Sequence, residues 1–425
     1  MNKRFRNKKV LIFLLLIVLG FYYRWILSSF AYHEIVLDMS AYSELAKEIL
    51  SGKLAAHCCN HGIGYPLFLA LVYRFFGVEQ WGGLRVAQGI LDVLSAVLVY
   101  HITKAVFHAR AAMLALAIYL LNPFTSAYTG YFLTESLSIF LITLLAAIIT
   151  QKRFLTRKIW WFLFGFALGW LLATKYAFYL FTFFLIGLVC IVFIPNRKRV
   201  WFLAFVAGGF LLASAYSFVG YYRHYGVVSL RPPYNIYRSF GGGWYAGFFQ
   251  GRYPELFSGA KGFQPKFSSI MINYKFYYDT DPTGIVYLNK QYRDLFFLKL
   301  KTDWPLFLKN TFQNMIWLWD KYFLYLYVDP LYPRYASFIR AINILLFCLF
   351  GTGIVRFVRT NKWAVFDNLF FVFTLALFFF ITISFSMVSN ETRHTLPFYP
   401  LLIMWAGFGA WKILEDIFHR INSKT

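Results

Sequence analysis

The residues able to do chemistry in this sequence are few and unevenly placed. From Ala31 to Pro66 the stretch AYHEIVLDMSAYSELAKEILSGKLAAHCCNHGIGYP gathers His33, Glu34, Asp38, Glu44, Glu48, His57, Cys58, Cys59 and His61. Asp38 follows the first apolar run by about eight residues, where a carboxylate can meet both a lipid-borne substrate and water and act as a general base. The same position suits a helix N-cap. Glu135, in TGYFLTESLSIF, is a second candidate carboxylate, with Thr134 and Glu135 as an ordinary helix start the competing reading. Arg85, Lys175 in LLATKYAF, and Arg393 with His394 in NETRHTLPFYP add cations near helix ends. Such cations either snorkel to the membrane interface or hold a lipid phosphate, bidentately for Arg and as a point charge for Lys. His57, Cys58, Cys59 and His61 are metal-ligand types, but HCCNH matches no standard zinc spacing and adjacent ligands crowd one another. A structural loop, with or without a disulfide, is the simpler reading there.

These residues need elements that hold them, and the composition says which. In 425 residues, 60% are hydrophobic, 22% aromatic and only 14% charged, with a mean hydropathy of +0.56. That is too apolar for a soluble protein and too long for one anchor, so the expected class is an all-α integral membrane protein. The net charge of +24 does not imply nucleic acid, because Lys and Arg fall in short clusters between apolar runs rather than along one continuous basic face. The basic start, Lys3 to Lys9, leads into an apolar run too long for a signal peptide and without a small-residue cleavage site, so a retained first helix is expected. Cys190 and Cys348 lie inside apolar runs and read as small core residues.

Apolar runs able to cross about 30 Å of hydrocarbon at about 1.5 Å per residue occur near 10–30, 84–107, 111–128, 132–150, 159–175, 176–194, 200–222, 336–357, 364–386 and 396–414, about ten helices. Alternate connections carry the cations: the N-terminus, Lys104/Arg110, Lys152/Arg153/Arg157/Lys158, Arg197/Lys198/Arg199, Arg356/Arg359/Lys362 and Lys412/Arg420/Lys424. The positive-inside rule then makes both termini cytoplasmic and every candidate site residue extracytoplasmic. The expected organisation is a transmembrane catalytic module over 1–222 with its first outer loop at 31–83, an extracytoplasmic segment of mixed structure over 223–335, and C-terminal helices over 336–425. In the first loop, Tyr42, Leu45, Ile49 and Leu50 share one face of an amphipathic helix expected to lie on the bilayer. The run from Tyr65 to Phe76 reads as a second interfacial or re-entrant helix. Asp303 to Tyr327 reads as a helix along the outer interface, with Trp304, Trp317 and Trp319 at headgroup depth. DTDPTG, from Asp279, reads as a turn, and no Walker or Rossmann phosphate loop occurs.

Taken in order, GYPLFLALVYRFFG, GLRVAQGILDVLSAVLVYHITKAVF, NPFTSAYTGYFLTESLSIFL, LLATKYAF and RHTLPFYPLL resemble the GT-C membrane glycosyltransferases, in particular the branch of the protein O-mannosyltransferases and lipid A aminoarabinose transferases. The likeness covers residues 10–195 well and the last two helices weakly. It implies that Asp38 serves as catalytic base, that Glu135 is the second carboxylate, and that Arg85 and Lys175 face the donor phosphate. Many members have a second acid beside the first-loop aspartate; Met39 stands there in this chain, so metal dependence is not favoured and no cofactor is expected to be required.

The expected function is an inverting glycosyltransferase moving a sugar from a polyprenyl-phosphate donor to an acceptor hydroxyl or phosphate. Asp38 and Glu135 are the catalytic candidates; Arg85, Lys175, Arg393 and His394 are the donor-phosphate candidates. The acceptor is a lipid, glycan or protein, selected by 223–335, and the setting is a bacterial inner membrane with the site facing the periplasm. The competing readings are a transporter or flippase of lipid-linked sugars, which would place ionisable or broken-helix sites near the bilayer midplane, and a non-catalytic envelope assembly protein.

Overall fold

The structure, a computed structural model, describes residues 3–31, 33–36, 38–53, 62–225, 228, 293–326, 329, 332–388 and 391–423. Among them no strand occurs. The helices are α1 (Lys3–Ser29), α2 (Asp38–Leu50), α3 (Gly64–Phe76), α4 (Trp81–Val106), α5 (Ala109–Leu120), α6 (Pro123–Ala127), α7 (Glu135–Ile149), α8 (Lys158–Thr174), α9 (Tyr179–Leu188), α10 (Arg199–Tyr225), α11 (Trp304–Trp319), α12 (Ala336–Asn361), α13 (Leu369–Val388) and α14 (Tyr399–Asn422). A helix lies at each of the ten runs expected to cross the membrane. Among the described residues, five helical stretches are long and apolar enough to do so unaided: Trp81–Val106, Tyr176–Phe193, Asn196–Arg223, Ala336–Asp367 and Leu369–Ser386. A sixth is counted if α5 and the 123–130 segment, bent by 41°, form one broken span. The protein is an integral membrane protein.

The helices that fall short do so for local reasons. α5 stops where Asn122 caps a new turn, its side chain accepting from Phe124 N while Pro123 sits at the first helical position. α7 has 15 residues, or about 22 Å, because it starts only at Glu135. α8 ends at Lys175, whose backbone is extended. These interruptions fall at one end of the bundle, which is where the charged residues meet.

Leu11, Leu14, Leu15 and Val18 of α1 are exposed, a face for lipid. α8 and α10 touch backbone to backbone: a Cβ on Gly165 would lie 2.0 Å from Val206 O, and one on Gly209 equally close to Phe162 O. Cys190 is buried, as expected, whereas Cys348 is exposed on α12: its place in an apolar run reflected a lipid-facing position and not a core one.

One fully buried ion pair ties the first helix to the bundle. Arg24 Nε is 2.5 Å from Asp92 Oδ2, and both side chains are 1% exposed. The guanidinium also donates to the carbonyls of Gly20, Leu120 and Tyr119, and Tyr119 Oη donates to Asp92 Oδ1 at 2.6 Å. α1, α4 and α5 are thereby joined in one hydrogen-bonded unit, and each guanidinium nitrogen donates to a protein acceptor. Such a pair adds little net stability but is costly to break on one side only. Asp92→Ala is therefore expected to destabilise the protein by about 3–5 kcal/mol, read as a lower midpoint of thermal unfolding in detergent, and Arg24→Met with Asp92→Leu is expected to recover most of that loss. Equal melting of Asp92→Ala and wild type would refute this.

Candidate active site

The site is assembled from helix ends. After α1 the chain turns at Phe30 and Ala31, whose amides donate to Leu27 O and Ser28 O, and α2 then begins at Asp38. An acid in a first turn is favoured by the helix dipole. Asp38 stays 39% exposed along its side chain, while Met39, Tyr42, Ser43, Leu45 and Ala46 are buried. Here the structure departs from expectation. The face bearing Tyr42 and Leu45 packs on protein, chiefly α3, and not on the bilayer, and Ser43 Oγ lies 2.8 Å from Tyr73 Oη and donates to Glu79 Oε1 at 2.6 Å. Periodicity identifies an apolar face without saying what covers it. Among the other acids of this loop, Glu34 and Glu44 lie on the exposed surface.

Glu135 opens α7 and is 2% exposed. Its Oε1 accepts from Lys175 Nζ at 3.2 Å, and its Oε2 is buried with no hydrogen-bond partner among the described residues. Lys175 is placed by the end of α8, against which residues 62–64 press tightly. A Cβ on Gly62 would fall 2.1 Å from Ala173 O, and one on Gly64 2.7 Å from Thr174 N. Only glycine permits that approach, and Trp170 Nε1 adds a hydrogen bond to Gly64 O. Tyr65 is fully buried and donates to Gln88 Oε1, and Gln88 in turn donates to Tyr131 O at 2.6 Å.

Arg393 and His394 lie on the 3₁₀ segment Thr392–Phe398. Arg393 Nη2 donates to Asp38 Oδ2 at 2.9 Å, and its Nε is 2.5 Å from Glu391 Oε2. This guanidinium joins the first loop to the last across 355 residues of sequence. His394 stacks on Phe385, centroids 4.6 Å apart and planes 17° from parallel. Burial, then the charges of Lys175 and Arg393, hold its imidazole well below the usual histidine range, with Asp38 opposing, so the ring is neutral. Its Nδ1 is buried without a hydrogen-bond partner among the described residues.

Lys321 was not among the expected site residues. It is 3% exposed, donates to Thr392 O and lies 5.3 Å over the Tyr399 ring. Burial pushes its ammonium well below the ordinary lysine range, with the nearby Glu135 carboxylate opposing. The expected interfacial helix ends at Trp319, and residues 320–326 run on without helical structure into the bundle. Tyr325 Oη bonds Leu27 O, and Leu326 O accepts from Tyr131 Oη. Trp319, expected among lipid headgroups, is half-buried, stacks on Phe378 at 5.1 Å and donates to Thr382. Glu391 was also missed, although it neighbours Arg393. No signal in the sequence marks Lys321, since a single lysine after WLWD looks like any interfacial anchor.

The structure thus brings together Asp38, Glu135, Lys175, Arg393 and His394, and adds Lys321 and Glu391. Arg85 makes its contacts elsewhere: it bonds His33 Nε2 and lies 5.8 Å over the Trp25 ring. His57, Cys58, Cys59, His61 and the DTDPTG stretch lie outside the described residues. Each of the three carboxylates, Asp38, Glu135 and Glu391, already has a Lys or Arg against it. What they make is an exposed-edged carboxylate backed by cations in a partly dry setting, where preorganised charge acts strongly on a developing anion.

Comparison with known proteins agrees with this architecture. The family model for dolichyl-phosphate-mannose-protein mannosyltransferases matches residues 60–219. The apo oligosaccharyltransferase of Archaeoglobus fulgidus superposes over 97% of this chain with a TM-score of 0.55 at 12% identity. The fold is that of the GT-C membrane glycosyltransferases. A second structure, the archaeal oligosaccharyltransferase AglB from the same organism with an inhibitory peptide and a dolichol-phosphate, gives a TM-score of 0.52 at 11% identity over 97% of this chain. The chain spans about half, 52%, of both oligosaccharyltransferase chains. ArnT from Cupriavidus metallidurans bound to undecaprenyl phosphate matches with a TM-score of 0.45 at 15% identity, over 97% of this chain and 80% of its own. No curated protein sequence matches.

The glycine packing beside Lys175 provides a direct check of the site's construction. Gly64→Ala is expected to cost about 1–3 kcal/mol through overpacking against the α8 terminus. Gly82→Ala, where a Cβ meets nothing within 4 Å, is expected to melt like wild type or slightly higher. Thermal unfolding of both variants in detergent is the measurement, and equal midpoints for the two would contradict the packing described.

Proposed function

We propose that the protein is an inverting glycosyltransferase that takes a sugar from a polyprenyl-phosphate donor, with Asp38 as general base. The observation that carries the reading is the ion pair between Asp38 and Arg393 at the edge of the buried Glu135–Lys175 pair: a partly exposed carboxylate beside cations suited to a phosphate. The dolichol-phosphate held by the oligosaccharyltransferase of the same fold supports a lipid of that class here.

In this mechanism the donor phosphate lies against Lys175 and Arg393. The acceptor hydroxyl attacks the anomeric carbon from the face opposite the phosphate, its proton passes to Asp38, and the bond from that carbon to the phosphate oxygen breaks with its electron pair remaining on the phosphate. One displacement inverts the centre. The phosphate competes with Asp38 for the Arg393 guanidinium, so donor binding loosens the ion pair that quiets the base. Glu135 holds the Lys175 ammonium in place, and the neutral His394 is available as a hydrogen-bonding partner to a sugar or acceptor hydroxyl.

The alternation of basic connections supports a site facing away from the cytoplasm, in a bacterial inner membrane, with a lipid, glycan or protein as acceptor. Because the charged cluster sits where helices end and not within uninterrupted spans, this reading is favoured over transport. No metal is assigned, since the carboxylates are already matched by Lys and Arg.

Asp38→Asn, purified in detergent beside wild type and given radiolabelled polyprenyl-phosphate sugars, is expected to release free polyprenyl phosphate about 10²–10⁴-fold more slowly, with wild-type release unaffected by chelator. Equal rates would remove Asp38 from the mechanism. Lipid binding without release by either protein would favour a flippase, and loss of release with chelator would restore a metal.

A further inference from the structure

Among the described residues three cations reach the cluster, and one differs from the others. Lys175 pairs with Glu135, and Arg393 with both Asp38 and Glu391. Lys321 is the most buried, at 3% exposed, and makes no ion pair among the described residues. Its single hydrogen bond there is to the neutral Thr392 carbonyl, although an ammonium has three donors. An apolar side chain would fill that volume at lower cost, since a buried charge without a close partner is strongly disfavoured. The surroundings also contain polar atoms left over: Glu135 Oε2, on a side chain 2% exposed, and His394 Nδ1 have no hydrogen-bond partner among the described residues. Both residues lie within electrostatic reach of Lys321. A built polar site with spare donors and one unmatched cation therefore adjoins the catalytic candidates.

The proposed reaction creates a charge that needs such a cation. A polyprenyl-phosphate sugar is a phosphodiester with one negative charge. When the bond between the anomeric carbon and the phosphate oxygen breaks, the electron pair stays on that oxygen and the lipid leaves as a monoester carrying a second charge. The acceptor oxygen has meanwhile bonded to the carbon and its proton has gone to Asp38. Lys175 stays paired with Glu135, and Arg393, though released from Asp38 by the donor phosphate, stays paired with Glu391, so part of their positive charge is already met before the bond breaks. A cation without a carboxylate partner is the one whose interaction grows as the second charge appears, and only interactions that strengthen in the transition state speed the reaction.

We infer that Lys321 neutralises the second negative charge of the leaving phosphate, so that the site prefers a phosphate monoester dianion to a phosphodiester. This assignment rests on the glycosyl-transfer reading. The depressed basicity of the buried ammonium agrees with it, because an arriving anion is what stabilises its charged form.

The test uses the full chain in detergent at about pH 8, where a phosphate monoester with a second pKa of about 6 is a dianion. The probes are a polyprenyl monophosphate and its methyl phosphodiester. Wild type is expected to bind the monoester about tenfold more tightly, a difference of about 1.4 kcal/mol. Lys321→Gln is expected to bind both alike, with its diester affinity within about twofold of wild type, whereas Lys321→Arg retains the preference. In turnover, Lys321→Gln is expected to lower kcat about a hundredfold with little change in donor KM. Weakening of both probes by one factor would mark Lys321 as structural and overturn the assignment, as would an unchanged preference. Failure of wild type to bind either probe would instead overturn the polyprenyl-phosphate reading on which the assignment stands.

Discussion

An ionised side chain in an apolar helical bundle has to meet opposite charge or hydrogen-bond partners before the helices can close around it. That constraint shapes this protein at two depths. Between α1, α4 and α5, the Arg24–Asp92 pair is almost wholly enclosed and Tyr119 and three carbonyls take up its remaining valences, so it locks three helices together and leaves little for a ligand. At the end of the bundle, Asp38, Glu135, Glu391, Lys175, Arg393 and Lys321 also come together, but with a remainder. One carboxylate edge is exposed, a carboxylate oxygen and an imidazole nitrogen lack hydrogen bonds among the described residues, and one ammonium lacks an ion pair there. The first arrangement resembles a rivet and the second a site.

The same end of the bundle is where helical regularity gives way. α5 breaks at Asn122, α7 starts late at Glu135, α8 stops at Lys175, and a 3₁₀ segment carries Arg393 and His394 into α14. Within hydrocarbon, backbone groups freed from a helix must be satisfied by protein, and here they are: Tyr131 O and Thr129 O accept from Gln88, Thr392 O from Lys321, and Leu326 O from Tyr131. One of those side chains, Lys321, also belongs to the charged cluster. Polar chemistry at this end is thus supported by one of the groups that make the interruptions tolerable.

Under the proposed reaction, in which a phosphate leaves, a short charged inventory suffices: a base for the acceptor and fixed positive charge for the departing oxygen, and the helix ends bring a partly exposed carboxylate and cations together in one place. The long segment between α10 and α11, mostly outside the described residues, is the part in which the choice of acceptor is expected to reside.

What the sequence determined by itself was the class and the ends. Hydropathy fixes which runs are helices, because an unbroken apolar run of about 20 residues can satisfy its backbone within one segment in lipid only as a helix, and the clustering of Lys and Arg groups the remaining ionisable residues at one end. Asp38, Glu135, Lys175, Arg393 and His394 were legible for that reason: each stands at the edge of an apolar run, where a charge is conspicuous. Arg24 and Asp92 also interrupt apolar runs, but nothing in either run says that they are partners, since contact across 68 residues is a property of helix packing. Tertiary structure alone decided that α2 lies on α3, that Arg85 turns to His33, and that the chain beyond Trp319 leaves its helix and carries Lys321 inward. Periodicity reports which face of a helix is apolar; which neighbour covers it, and which distant charge completes a pair, depends on how the helices close-pack.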